Sequence, residues 1–168
     1  MRRQMKVVMG LVVGLSSVLF TQTLWSHCEI PCGIYDDAAR IGLLREHTRT
    51  VEKAMNRIKT LKKEEDKNYN QLVRWVTNKE KHAKKIQKIV YQYFMNQRIK
   101  PAAKTATEEY KKYVEEITLL HNMLVHAMKS KQTTDHEHIE KLRELIDAFE
   151  KSYFSDKSGN PDKSEHNH

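Results

Sequence analysis

Two cysteines and a histidine lie close together near the start of the chain. The stretch from His27 to Tyr35, with the sequence HCEIPCGIY, contains both cysteines of the 168-residue protein. Thiolate sulfur and imidazole nitrogen are ligands for zinc and for redox-active transition metals. The chemistry expected of this stretch is therefore metal coordination or, if the cysteines pair with each other, disulfide formation.

Three kinds of site agree with cysteines at positions 28 and 32. A disulfide is usual in an exported protein, although so short a loop stabilises a fold only modestly. A structural zinc site is one ligand short, because Cys28, Cys32 and the His27 imidazole do not complete a tetrahedron. The third is a redox metal at a new N-terminus, where the His27 amine and the Cys28 backbone nitrogen join the two thiolates. Such a planar nitrogen and sulfur set suits Ni(II) or Cu(II) better than zinc.

The sequence before His27 has the pattern of a removable leader. Basic residues at positions 2, 3 and 6 precede an apolar run over 7–20 and a short segment ending at Ser26. This is the order of regions in a secretory signal peptide, and the run is short for a membrane span. We expect a leader peptidase to remove 1–26 and the protein to be exported to the periplasm or beyond the cell. A cytoplasmic protein with a cleaved leader is the alternative.

The sequence after the cysteines predicts four amphipathic helices, because apolar residues recur at three- and four-residue steps. The first begins at Asp36 or Asp37 and ends near Glu65, and the second spans about 69–97. Capping-box patterns over 105–108 and 134–137 open the third and fourth. Short connections predict an all-α, up-down-up-down four-helix bundle. The domains are thus a leader (1–26), a hook (27–35), the bundle (36–154) and a disordered polar tail (155–168).

The apolar faces of these helices define the predicted core. Its members are Ile41, Leu44, Val51, Met55, Ile58, Leu61, Leu72, Val76, Ala83, Ile86, Val90, Tyr93, Tyr110, Val114, Ile117, Leu120, Leu124, Ala127 or Met128, Ile139, Leu142, Leu145, Ile146, Phe149 and Tyr153. Only five glycines and three prolines, with 31% charged residues, also favour helices over a sandwich or barrel.

The charge of the chain argues against nucleic acid as a partner. The net charge is +8, or +5 once the basic residues of the leader are removed, and lysines alternate with glutamates along the helices. Nucleic-acid binding would call for a clustered basic stripe in a recognisable module, and the sequence has neither. The mild positive balance is compatible with a small anionic substrate.

The pattern His-Cys-x-x-Pro-Cys-Gly-x-Tyr resembles the nickel hook of the nickel-containing superoxide dismutases. It is formed here by His27, Cys28, Pro31, Cys32, Gly33 and Tyr35. The aromatic pair at 93 and 94, followed by Lys100 and Pro101, also resembles the end of the second helix in that family.

The resemblance implies that the protein converts superoxide to dioxygen and hydrogen peroxide by cycling nickel between Ni(II) and Ni(III). The implied metal ligands are His27, Cys28 and Cys32. Tyr35 is implied as a catalytic residue beside the metal, where it would help to order the anion or a water. The family assembles as a homohexamer of four-helix bundles, so the same assembly is expected.

Two supporting residues of the family are not recognisable in this sequence. The acidic residue that follows an Arg-Ile pair in some members is Gly42 here, with Glu46 as a substitute. Arg74 is a candidate for an arginine partner on position alone. Two alternatives to the enzyme stay open: a non-catalytic exported protein that binds nickel or copper, and a helical interaction module whose cysteines form a disulfide.

Processing of the leader gives a direct prediction. N-terminal sequencing of the mature protein should begin at His27, because only that cut frees the amine of the expected ligand set. The mature chain would then contain the 142 residues that follow Ser26. A mature chain that starts even one residue earlier would contradict the nickel-hook hypothesis.

Overall fold

The computed structural model describes residues 33–155. The predicted leader, hook residues 27–32 and the tail from residue 156 onward lie outside this range. The described helices are α1 (Asp37–Leu61), α2 (Tyr69–Lys88), which continues as a π-helix (Ile89–Arg98), α3 (Thr107–Gln132) and α4 (Glu137–Phe154).

The helices pack as a closed antiparallel ring. α1 and α3 each contact both α2 and α4. Asp37 at the start of α1 lies beside Arg98 at the end of the π-helix, as expected if α1 and α2 run in opposite directions. The prediction of an all-α four-helix bundle is confirmed. Within residues 33–155, no helix is long and apolar enough to cross a membrane.

The buried faces follow the predicted apolar stripes, with three exceptions. Fully buried side chains from all four helices form one core, among them Leu44, Ile86, Leu120 and Ile146. Val76 and Val114 are exposed, contrary to the prediction. Met128 is exposed as well, so that of the two candidates Ala127 and Met128 it is Ala127 that is buried.

The geometry of the helices explains the two exposed valines. Val114 lies six residues before Leu120, which places it about 120° away around the helix. Val76 precedes Lys79, the first buried residue of α2. Its turn of helix is therefore only partly covered, since Leu72 and Trp75 are half-buried there and Val76 is exposed. Periodicity identified the right stripe on α2 but not where its burial begins.

The capping boxes predicted for α3 and α4 are wrong. A turn in which the Ala106 amide donates to the Ala103 carbonyl (2.9 Å) delays the start of α3, and Ala106 offers no capping side chain. At α4 the Glu137 amide donates to Asp135 Oδ1 at 3.0 Å, so Asp135 takes the position expected of Thr134. By contrast, the predicted start of α1 is capped by Asp36, whose Oδ1 accepts from the Ala39 amide at 2.9 Å.

The second helix ends in a π-helix, which the apolar pattern did not predict. Over Ile89–Arg98 the turns are wider than in an α-helix, because the hydrogen bonds join residues five apart. Phe94 of this segment packs in the core against two aromatic rings of α4. Its ring centroid lies 4.9 Å from that of Phe149 and 5.6 Å from that of Tyr153, and both contacts are edge to face. The π-helix therefore supplies core packing and also Arg98, which pairs with Asp37 at the start of α1.

A matched pair of valine substitutions tests the core. Val51 is fully buried in α1, whereas Val73 is 65% exposed in α2. Val51→Ala should lower the free energy of unfolding by about 2 kcal/mol, since two buried methyl groups are lost and a cavity remains. Val73→Ala should change it by less than about 0.7 kcal/mol, because alanine also has the higher helix propensity. Urea unfolding measures both, and equal losses would contradict this assignment of the core.

Candidate active site

The structure describes one of the four predicted site residues. Tyr35 precedes α1, whereas His27, Cys28 and Cys32 lie outside residues 33–155. Within the described range, no three or more His, Cys, Asp or Glu side chains gather in a group that could hold a metal ion. What the described bundle contributes to the candidate site is therefore the support of Tyr35.

Gly33 has a backbone conformation that suits glycine. Its φ is +78°, in the left-handed region that costs other residues about 1–2 kcal/mol. A Cβ there would meet no neighbouring atom. Backbone conformation, and not space, thus favours glycine at this position.

Two side chains of the π-helix hold the Tyr35 ring. The Arg98 guanidinium lies 4.3 Å from the centre of the ring, as a cation over its face. The Tyr93 ring meets it in an edge-to-face contact at 5.9 Å. Each contact is worth about 0.5–1.5 kcal/mol at a partly exposed site. Tyr35 remains 38% exposed, so part of the side chain is accessible to solvent.

Arg98 is itself held by Asp37, in the first turn of α1. The Arg98 guanidinium donates from Nε and Nη2 to the two carboxylate oxygens of Asp37, both at 2.9 Å. The same carboxylate accepts from the Tyr93 hydroxyl at 2.8 Å and from the Tyr153 hydroxyl at 2.9 Å. One carboxylate therefore joins the start of α1, the π-helix and the end of α4.

The surroundings fix the protonation of the donors to Asp37. Burial raises the pKa of Tyr93 and Tyr153 well above the ordinary value, and their hydrogen bonds to Asp37 raise it further. Burial alone would lower the pKa of Arg98, but its hydrogen bonds and charge interactions with Asp37 and Tyr153 together outweigh burial, and the net shift is upward. Near neutral pH the two phenols thus stay protonated and Arg98 stays charged.

The charges beside Tyr35 nearly cancel. Arg40 places its guanidinium 4.9 Å from the centre of the Tyr93 ring and so adds a second cation near Arg98. Asp36 and Asp37 supply two carboxylates at the start of α1. The formal charges of these four described side chains therefore sum to zero.

The arginine that supports Tyr35 is not the one suggested by position. Arg74 is exposed near the start of α2. It lies 24 residues before Arg98, which corresponds to about 36 Å along an α-helix. Glu46 is also exposed, nine residues beyond Asp37. Sequence reasoning missed Asp37 and Arg98. Their only signal was an acid in the first turn of one helix and a base at the end of the next.

The described bundle holds Tyr35, which follows a segment with two cysteines and a histidine. Among residues 33–155 there is no group of three or more His, Cys, Asp or Glu that could hold a metal ion. This arrangement is that of an all-α bundle preceded in sequence by a segment with candidate metal ligands. The chain belongs to the nickel-containing superoxide dismutase family, whose model matches residues 22–157 and so includes the whole hook. It is an oxidoreductase that uses nickel and acts on superoxide. Comparison with curated proteins and with solved structures gave no match.

The Asp37 contacts predict a measurable loss of stability. Asp37→Asn should lower the free energy of unfolding by about 2–3 kcal/mol, because it leaves the charge of Arg98 without its partner in a partly buried place. Glu52→Gln, on the same helix, removes the exposed pair with Arg143 and should cost less than about 1 kcal/mol. Thermal and urea unfolding compare the two, and similar losses would refute the central role of Asp37.

Proposed function

We propose that this protein dismutates superoxide at nickel bound by the processed hook. The metal ligands would be the amine and imidazole of His27, the backbone nitrogen and thiolate of Cys28, and the thiolate of Cys32. The donor set fits nickel, since thiolates and nitrogen donors in one plane suit Ni(II). When bound, nickel supplies a one-electron couple between Ni(II) and Ni(III). One superoxide then loses an electron to become dioxygen, and a second gains an electron and two protons to become hydrogen peroxide.

Removal of the leader after Ser26 is part of the proposal. In the full chain the nitrogen of His27 belongs to a peptide bond and cannot act as an amine ligand. The cut by a leader peptidase therefore creates one of the donors. The apolar run over 7–20 supports export to the periplasm or beyond the cell.

The support of Tyr35 is the observation in the bundle that carries the proposal. The Tyr35 ring is held by Arg98 and Tyr93, and only Gly33 and Ile34 separate it in sequence from Cys32. The side chain proposed to order the anion or a water is thus held by contacts with the bundle, and it follows a proposed ligand, Cys32, by three residues. Such preorganisation matters because catalytic groups act only in a narrow range of geometry.

A homohexamer is the proposed assembly. Several large apolar side chains of the described bundle are exposed, among them Ile34 (84%), Tyr69 (70%) and Tyr91 (46%). Under the proposal, a neighbouring chain covers some of these side chains, Ile34 among them. Ile34 lies next to Tyr35, so contacts with a neighbouring chain at this point would also shield the site.

Nickel-reconstituted protein that starts at His27 provides the test. It should consume superoxide with about one hook-bound nickel per chain, whereas Cys28→Ser and Cys32→Ser should lose the hook-bound nickel and the activity. A chain with one extra residue before His27 should also be inactive, because the nitrogen of His27 then belongs to a peptide bond and is no longer a free amine. His121→Gln, at an exposed position of α3, is the control and should keep full activity. Nickel-loaded protein without activity would favour the non-catalytic alternative.

A further inference from the structure

Two histidines outside the candidate active site face each other between α1 and α2. His47 is 6% exposed and His82 is half-buried on the adjacent antiparallel helix. Their Nδ1 atoms lie 3.2 Å apart, and their rings meet edge to face with centroids at 5.0 Å. The proposed reaction does not involve this pair.

The separation of the two nitrogens agrees with joint coordination of one metal ion. Imidazole nitrogen binds zinc at about 2.0–2.1 Å, so two nitrogens 3.2 Å apart would subtend an angle of about 100° at the metal. That angle lies between the square-planar and tetrahedral values. Two neutral imidazoles could instead share one Nδ1–H hydrogen bond over the same distance, which is the competing explanation.

The surroundings keep both imidazoles in the state that binds metals. Burial lowers the pKa of His47, and the neighbouring charges of His82 and Lys85 lower it further. Burial also lowers the pKa of His82, as do Lys85 and Lys81. Glu46 opposes both shifts but is the smaller influence. Both rings are therefore neutral near pH 7, with nitrogen lone pairs available.

We propose that His47 and His82 form a second metal site, which binds a divalent cation that favours imidazole, such as Ni²⁺ or Zn²⁺, through their Nδ1 atoms. Within the described residues no third His, Cys, Asp or Glu joins them, so water completes the coordination. Because Lys81 and Lys85 repel a cation, binding depends on the imidazole lone pairs and is weaker than in a closed four-ligand site.

Full-length protein carrying Cys28→Ser and Cys32→Ser removes the hook thiolates and allows the pair to be tested alone. Zn²⁺ is titrated while the ¹⁵N resonances of the histidine rings are followed by NMR, so each histidine reports separately. The Nδ1 resonances of His47 and His82 should shift together and saturate at the same Zn²⁺ concentration. Ni²⁺ should compete with Zn²⁺ for the same site.

Three further variants make the result specific. His82→Gln should weaken the Zn²⁺ response of His47 about tenfold or more, because one of two protein ligands is lost. His121→Gln, at an exposed position, should leave that response unchanged. Lys85→Gln should tighten binding about two- to fivefold by removing a repelling charge. The proposal is overturned if neither Nδ1 resonance responds to Zn²⁺, or if His47 responds equally with and without His82.

Discussion

The pairing of Asp37 with Arg98 is the interaction on which the end of the bundle that holds Tyr35 depends. A partly buried ion pair stabilises a protein only when further hydrogen bonds offset the cost of removing its charges from water. Here the two phenols provide them, so that one carboxylate accepts four hydrogen bonds from three side chains. Since Arg98 also covers the Tyr35 ring, the same pair places the one described site residue.

The π-helix makes this arrangement possible. Tyr93 and Arg98 are five residues apart, which in an α-helix would place them about 140° apart around the axis. The wider turn of a π-helix brings residues at this spacing closer to one face, and such segments are frequent at functional sites. Both side chains consequently reach Asp37, and both contact Tyr35. The change of helix type therefore has a direct consequence for the site.

Periodicity predicted the bundle well because burial repeats along each helix, as Leu44, Val51 and Met55 show on α1. It could not predict the support of Tyr35, since the direction of Arg98 depends on a local widening of the helix that leaves no apolar pattern. It also misplaced two helix starts, where Asp135 and a turn before Ala106 replaced the expected caps. His27, Cys28 and Cys32 rest on the sequence motif alone and stay predictions, because they lie outside the described residues.

The described hydrophobic core and the proposed nickel ligands belong to different parts of this chain. The described core consists of apolar and aromatic side chains closed by the Asp37 ion pair, and no ligand cluster lies within it. The described core is thus formed by side chains of the bundle itself. Under the proposed mechanism, the site instead requires a cut that alters no residue of the bundle. The described contacts that hold Tyr35 are made by residues after the proposed cut, so under this proposal they can form before processing.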